Sequence, residues 1–187
     1  MSAPEFLAIG HVTFDYFGDE VRPGGAALYA AVTAQRLGLS AGILTSHAAD
    51  FPLEVIPPQI EVVTLEAPET TAFEHRTSGG RRALRVRGAA RPLSAADLPD
   101  DWRDAPLVLL APVLQEVDPA LPSGFVDAAI AVEAQGWLRA VGAEGAVTSA
   151  RWSSPEPILD RVQTLFVSTH DVEGHESQVA EWVQRRP

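Results

Sequence analysis

The sequence predicts an α/β fold built on a parallel sheet, and three observations carry that prediction. Short apolar runs recur at FLAIG, AGILTS, PLVLLAP and QTLFVST, the pattern of strands buried on both faces. An alanine-rich segment of helical periodicity, residues 26–37, separates the first two runs, giving the strand, helix, strand order of a parallel crossover. Two segments of two-residue alternation flank SGGR, the signature of an antiparallel hairpin that turns on glycine.

Taken in order, FLAIG reads as a buried first strand that ends at Gly10. HVTFDYF alternates and is aromatic, so it either extends that strand or forms a second one. AALYAAVTAQRL, residues 26–37, has small and apolar residues at helical spacing, and Gly38 is placed to stop the helix. AGILTS, residues 41–46, is the second buried strand; the proline-rich stretch 52–58 is a connection; IEVVTLE, residues 60–66, alternates as a strand. TAFEHRT (71–77) and RALRVRG (82–88) form the hairpin, whose outer face carries Arg81, Arg82, Arg85 and Arg87. Taken singly, these charges read as a solvated edge that discourages aggregation; the functional alternative is a lid that meets an anionic or polyhydroxylated ligand. SAADLP has the form of a capped helical turn, and PLVLLAP, residues 106–112, is the strongest buried strand. AIAVEAQG, residues 129–136, fits a strand or a helix end. ILDRV is a short helical turn, QTLFVST (163–169) a further buried strand, and DVEGHESQVAEWVQRR a helix with acidic start and basic end, as the macrodipole favours.

Composition narrows the function classes. The 187 residues suffice for one domain with a sizeable core. A net charge of -11 argues against nucleic-acid binding through the general field. All 14 basic residues are arginine, which removes lysine Schiff-base chemistry and the phosphate-binding lysine of a P-loop. Cysteine is absent, so there are no disulfides and no thiolate metal ligands. With no apolar run of membrane-spanning length and no signal-peptide pattern, a cytoplasmic location is the expectation. His11, His47, His75, His170 and His175 form no metal-ligand motif, and neither GxSxG nor GxGxxG occurs.

The candidate site rests on strand ends, which in an open parallel sheet deliver residues to one crevice. Asp15 follows the first strand, Gly24 and Gly25 open the first helix, and Ser168 and Asp171 follow a late strand at the expected start of the last helix. A carboxylate there can accept hydrogen bonds from two hydroxyls, and a helix start offers free N–H groups to oxygen ligands. Each residue also has a plain structural reading: Asp15 as a turn residue, the glycine pair as a tight turn, Asp171 as a helix cap.

The ordered set GHVTFD, RPGGAALYAAVTAQRLG, TTAFEHRTSGGRRALRVRG, APLVLLAPV and FVSTHDVEG resembles the ribokinase-like, or PfkB, carbohydrate kinases over nearly the whole chain. The resemblance implies a Rossmann-like three-layer α/β sandwich in a single domain, incomplete at its C-terminus, with a small β lid inserted at about residues 60–88. It implies that Asp15 holds sugar hydroxyls, that Gly24 and Gly25 let the substrate sit against backbone, and that Tyr29 stands where many members have a sugar-contacting asparagine. Phe73, His75 and Arg76 fall on the lid, and Ser168 and Asp171 match, as SxxD, the NxxE motif that organises magnesium and phosphate. ATP and Mg2+ are the implied cofactors, a sugar or polyol the implied partner, and a homodimer through the lid the implied assembly.

No GAGD segment is present, so the family's catalytic aspartate and anion hole have no counterpart and no catalytic residue is identified. The expectation is therefore the substrate-binding half of a kinase that transfers the ATP γ-phosphoryl to a hydroxyl, truncated and inactive alone. Two alternatives stand beside it: a non-catalytic sugar-binding or dimerisation module, and an unrelated α/β domain whose glycine pair only shapes a turn.

Overall fold

The computed structural model describes residues 2–78 and 81–184, with backbone alone for residues 78, 81 and 82. In chain order the strands are β1 (Phe6–Ile9), β2 (Thr13–Phe17), β3 (Glu20–Gly24), β4 (Ala41–His47), β5 (Glu61–Glu66), β6 (Thr71–Ser78), β7 (Arg81–Gly88), β8 (Leu107–Leu110), β9 (Ala129–Glu133), β10 (Arg139–Val141), β11 (Ala146–Ser149) and β12 (Thr164–Phe166). The helices are α1 (Ala26–Arg36), α2 (Glu156–Leu159) and α3 (Ser177–Gln184).

Among the described residues these strands form two six-stranded sheets. The first runs β12-β9-β8-β1-β4-β5, every pair parallel. Its central strands are apolar on both faces because both are covered. Leu7, Ile9, Leu44, Val108 and Leu110 point to one core, and Ala8, Ile43 and Leu109 to the other. On the second face α1 lays Ala27, Leu28, Ala31 and Ala34 against the sheet, small side chains that let helix and sheet approach closely. Gly38, with φ of 93°, ends that helix as the sequence predicts. On the first face the short turns, α2 and α3 gather around four tryptophans. Trp137 and Trp152 stack at 5.0 Å, and Trp182 of α3 meets Trp152 edge-on at 5.6 Å, which anchors the last helix.

The second sheet runs β10-β11-β7-β6-β2-β3. HVTFDYF does not extend the first strand: the chain leaves the first sheet after Ile9, and β2 starts a different one. The expected hairpin of β6 and β7 is present and antiparallel, although its turn residues Gly79 and Gly80 lie outside the described residues. It sits inside the larger second sheet. β10 and β11 add to β7, and β2 adds to β6.

Three boundaries differ from expectation. The lid does not begin near residue 60, because β5 pairs with β4 in the first sheet; the inserted hairpin starts at Thr71. QTLFVST is not buried: β12 is the edge strand, covered on one flank only, and Phe166 is exposed. The last helix begins at Ser177 rather than at Asp171, since the acidic stretch before it closes into turns. Arg185 and Arg186, its expected basic end, lie outside the described residues.

Candidate functional site

The carboxyl ends of β8, β9 and β12 face the inner surface of the second sheet across a cleft of about 670 Å³. That volume falls in the ordinary range of small-molecule sites. Two-residue periodicity explains the side formed by the second sheet. Thr13 and Asp15 on β2, Phe73 and His75 on β6, Leu84 on β7 and Val147 and Ser149 on β11 share the face that lines the cleft. Tyr16, Glu74, Arg85 and Arg87 fall on the other parity. Arg87 lies over the Tyr16 ring at 4.4 Å, and Arg85 is bonded to the Glu144 carbonyl.

Seven of the nine residues singled out in the sequence line this cleft: Asp15, Gly25, Tyr29, Phe73, His75, Ser168 and Asp171. Arg76 does not. It shares the outer parity of Glu74, pairs with that carboxylate at 2.7 Å and is exposed. The side chains of Arg81 and Arg82 lie outside the described residues. Tyr29 stands at the rim, exposed, its hydroxyl 3.5 Å from the Pro23 carbonyl.

Asp15 is held from two sides. The His75 Nε2–H donates to Oδ1 at 2.7 Å, and the Thr13 hydroxyl donates to Oδ2 at 3.3 Å. His75 is itself stacked on Phe17, with ring centroids 4.4 Å apart. His75 therefore orients the carboxylate.

The glycine pair makes room for protein rather than for ligand alone. A Cβ at Gly24 would stand 2.2 Å from Asp15 Oδ2, so its absence lets the carboxylate fold over β3. Gly25, the residue before α1, has φ of 108°, and a Cβ there would stand 2.4 Å from the His11 carbonyl. Ser168 and Asp171 also serve each other. Asp171 Oδ2 accepts from the Ser168 N–H at 3.0 Å and its hydroxyl at 2.6 Å, and the Ser149 hydroxyl fastens the turn to β11 through the Asp171 carbonyl. This is a closed turn ahead of the helix, not a helix N-terminus.

Sequence reasoning missed the residues at the centre. Arg139 begins β10, with its guanidinium 5.2 Å from the Phe73 ring centroid and Nη1 donating to the Val113 carbonyl at 2.7 Å. Burial pushes its ionisation below the ordinary arginine value, and the charges of Asp171, Glu116, Glu133 and Asp15 oppose that shift. It remains a cation. Glu133, at the end of β9, has no hydrogen-bond partner for its carboxylate among the described residues, and Gln135 lies beside it. Burial and the charge of Asp171 hold the Glu133 carboxyl above its ordinary value, with Arg139 opposing. The only available signal was AVEAQGWLR itself, a carboxylate, an amide and an arginine at a strand end.

Glu133 sets a pH dependence whose sign follows from linkage. A carboxyl raised in the folded state favours folding below its unfolded value, and that benefit is lost as pH rises through the folded one. Glu133→Gln is therefore expected to melt above the wild type at about pH 8 and to lose that advantage by about pH 4. A thermal melt series checks this; an offset independent of pH would refute it.

No protein-family model and no curated protein matches the chain. Solved structures do. A pyrophosphate-dependent kinase in the ribokinase family, complexed with a pyrophosphate analog and myo-inositol, superposes with a TM-score of 0.79 at 22% identity, over 96% of this chain and 69% of that one. An uncharacterized sugar kinase from Pyrococcus horikoshii gives 0.64 at 16% identity, over 93% of this chain and 66% of that one. The nucleoside kinase of Methanocaldococcus jannaschii gives 0.61 at 16% identity, over 99% and 69% respectively. The fold is ribokinase-like, and the chain spans about two thirds of the length of these structures.

Proposed function

We propose that this chain supplies the acceptor site of a phosphotransferase that moves a phosphoryl group from ATP or pyrophosphate onto a hydroxyl of a neutral polyol or sugar. The observation that carries the reading is Asp15, fixed by His75 and Thr13 on the cleft face of the lid. A fixed carboxylate accepts hydrogen bonds from hydroxyls without reorganising, which favours an oriented acceptor. Glu133 and Gln135 supply further polar contacts, while Phe73, Leu84 and Val147 add apolar contacts beside Asp15 and His75. The cation opposite a phosphoryl group is Arg139, in place of the outward-facing Arg76.

ATP and magnesium were both implied by the resemblance. Among the described residues no group of three His, Cys, Asp or Glu side chains could hold a metal ion, and Ser168 and Asp171 are engaged with each other. No step is routed through magnesium. The absence of a GAGD segment favours a chain that binds an acceptor without turning it over, and it is also what favours the alternative of a non-catalytic polyol-binding module.

Thermal melts with a panel of neutral polyols, myo-inositol and ribose included, test the reading. At about a hundredfold excess over Kd a binding polyol raises Tm by roughly 5–10 °C. No shift with any polyol would refute the acceptor site. Melts with ATP or pyrophosphate added then separate the two readings: a further shift with the phosphoryl donor supports the kinase acceptor site, a shift with polyol alone supports the module, and a phosphorylated polyol in phosphorus NMR would overturn the expectation that this chain does not turn its acceptor over.

A further inference from the structure

The loop after β8 carries VLQEV, in which the structure finds an arrangement unrelated to strand or helix formation. Glu116 is buried, yet it is an acid. Its carboxylate accepts from the backbone N–H groups of His11 at 3.0 Å, Val113 at 2.9 Å and Leu114 at 2.7 Å. One side chain thus closes its own loop and ties it to the segment after β1. The residue before it, Gln115, has φ of 61°, a left-handed conformation that a residue with a side chain keeps only when held there. Both ends of this loop grip one residue. The Val113 carbonyl accepts from the Arg139 guanidinium at 2.7 Å, and the Gln115 side-chain amide donates to the Arg139 carbonyl. Phe73 lies beside the guanidinium, 5.2 Å away.

We propose that Glu116 is a positioning residue, which pins the loop of residues 113–116 so that Val113 and Gln115 hold Arg139 in the cleft for an anionic phosphoryl oxygen. The ligand clause rests on the proposed phosphotransferase reading; the positioning clause does not. Nη1 is engaged by Val113, and among the described residues no acceptor takes the remaining guanidinium donors. A guanidinium fixed at one nitrogen with donors left over is preorganised for an oxygen anion. Glutamine at position 116 would set an N–H donor against backbone N–H groups that need an acceptor, so the loop would lose its anchor with little change in side-chain size.

The test reads Arg139 directly, with no ligand present. Wild type, Glu116→Gln and Gln115→Gly are treated with phenylglyoxal, and modification is followed by peptide mass spectrometry. Arg103, half-buried and bonded to the Ala95 carbonyl, is the internal control. Arg139 is expected to react roughly tenfold faster in Glu116→Gln, the scale of losing one charged hydrogen bond, with Arg103 unchanged. Gln115→Gly suits the backbone conformation and should retain the wild-type Tm while also speeding Arg139 modification, so it decides the matter if Glu116→Gln does not fold. An unchanged Arg139 rate, or equal acceleration at Arg139 and Arg103, would overturn the positioning role. In a separate arm, pyrophosphate slowing Arg139 modification in the wild type supports the phosphoryl ligand; no slowing overturns the ligand clause alone.

Discussion

Gly25→Ala is expected to cost about 3–5 kcal/mol of folding stability, read as a lower denaturant midpoint. Two effects combine. The backbone at Gly25 has φ of 108° and ψ of 134°, a region nearly closed to residues with a side chain. A methyl group there would also stand 2.4 Å from the His11 carbonyl and 3.1 Å from Val12 Cα. His11 cannot yield. Its N–H is held by Glu116 at 3.0 Å, its Nε2 donates to the Arg91 carbonyl at 2.8 Å, and its Nδ1 pairs with the Thr71 hydroxyl at 2.7 Å. Since domains of this size are stable by about 5–15 kcal/mol, such a loss is a large share of the total. Gly38→Ala is the control: its φ is 93°, but nothing lies within 4 Å of the added carbon, so only the dihedral cost of about 1 kcal/mol applies. Equal losses at both positions would refute the steric argument.

Asp15→Asn should weaken acceptor binding roughly ten- to hundredfold while leaving Tm within a few degrees of wild type, the scale of charged hydrogen bonds to ligand hydroxyls. The measurement is calorimetric titration with whichever polyol raises the wild-type Tm. Asn keeps the size of the side chain and a carbonyl for His75, so the backbone of β2 has no reason to move. Unchanged affinity would make Asp15 a structural strand residue whose carboxylate serves only Thr13 and His75.

Much of this architecture was legible without coordinates, where the signal was local. The helix over residues 26–36 follows from spacing and ends at the predicted glycine, and the buried runs of β1, β4 and β8 lie at the centre of the first sheet. The parity of TAFEHRT already separated Phe73 and His75 from Glu74 and Arg76, and read strictly it would have excluded Arg76 from the cleft. β10 and β11 were not legible. They are short, rich in alanine, and flank a glycine turn, and they become strands because β11 pairs with β7 about sixty residues earlier. With them Arg139 was lost, and with Arg139 the purpose of Glu116, which in sequence is one acid among many.

By itself, then, the sequence determined the fold class, the order of the elements and the approximate ring of residues around the cleft, because hydrophobic periodicity and glycine punctuation act within a few residues of each other. Tertiary structure alone decided what each of those residues does. Gly24 exists for the Asp15 carboxylate and Gly25 for the His11 carbonyl, His75 belongs to Asp15, and Arg139 is held by a loop that precedes it by more than twenty residues. Those assignments depend on contacts across two sheets, and contact at long sequence separation leaves no periodic trace in the chain.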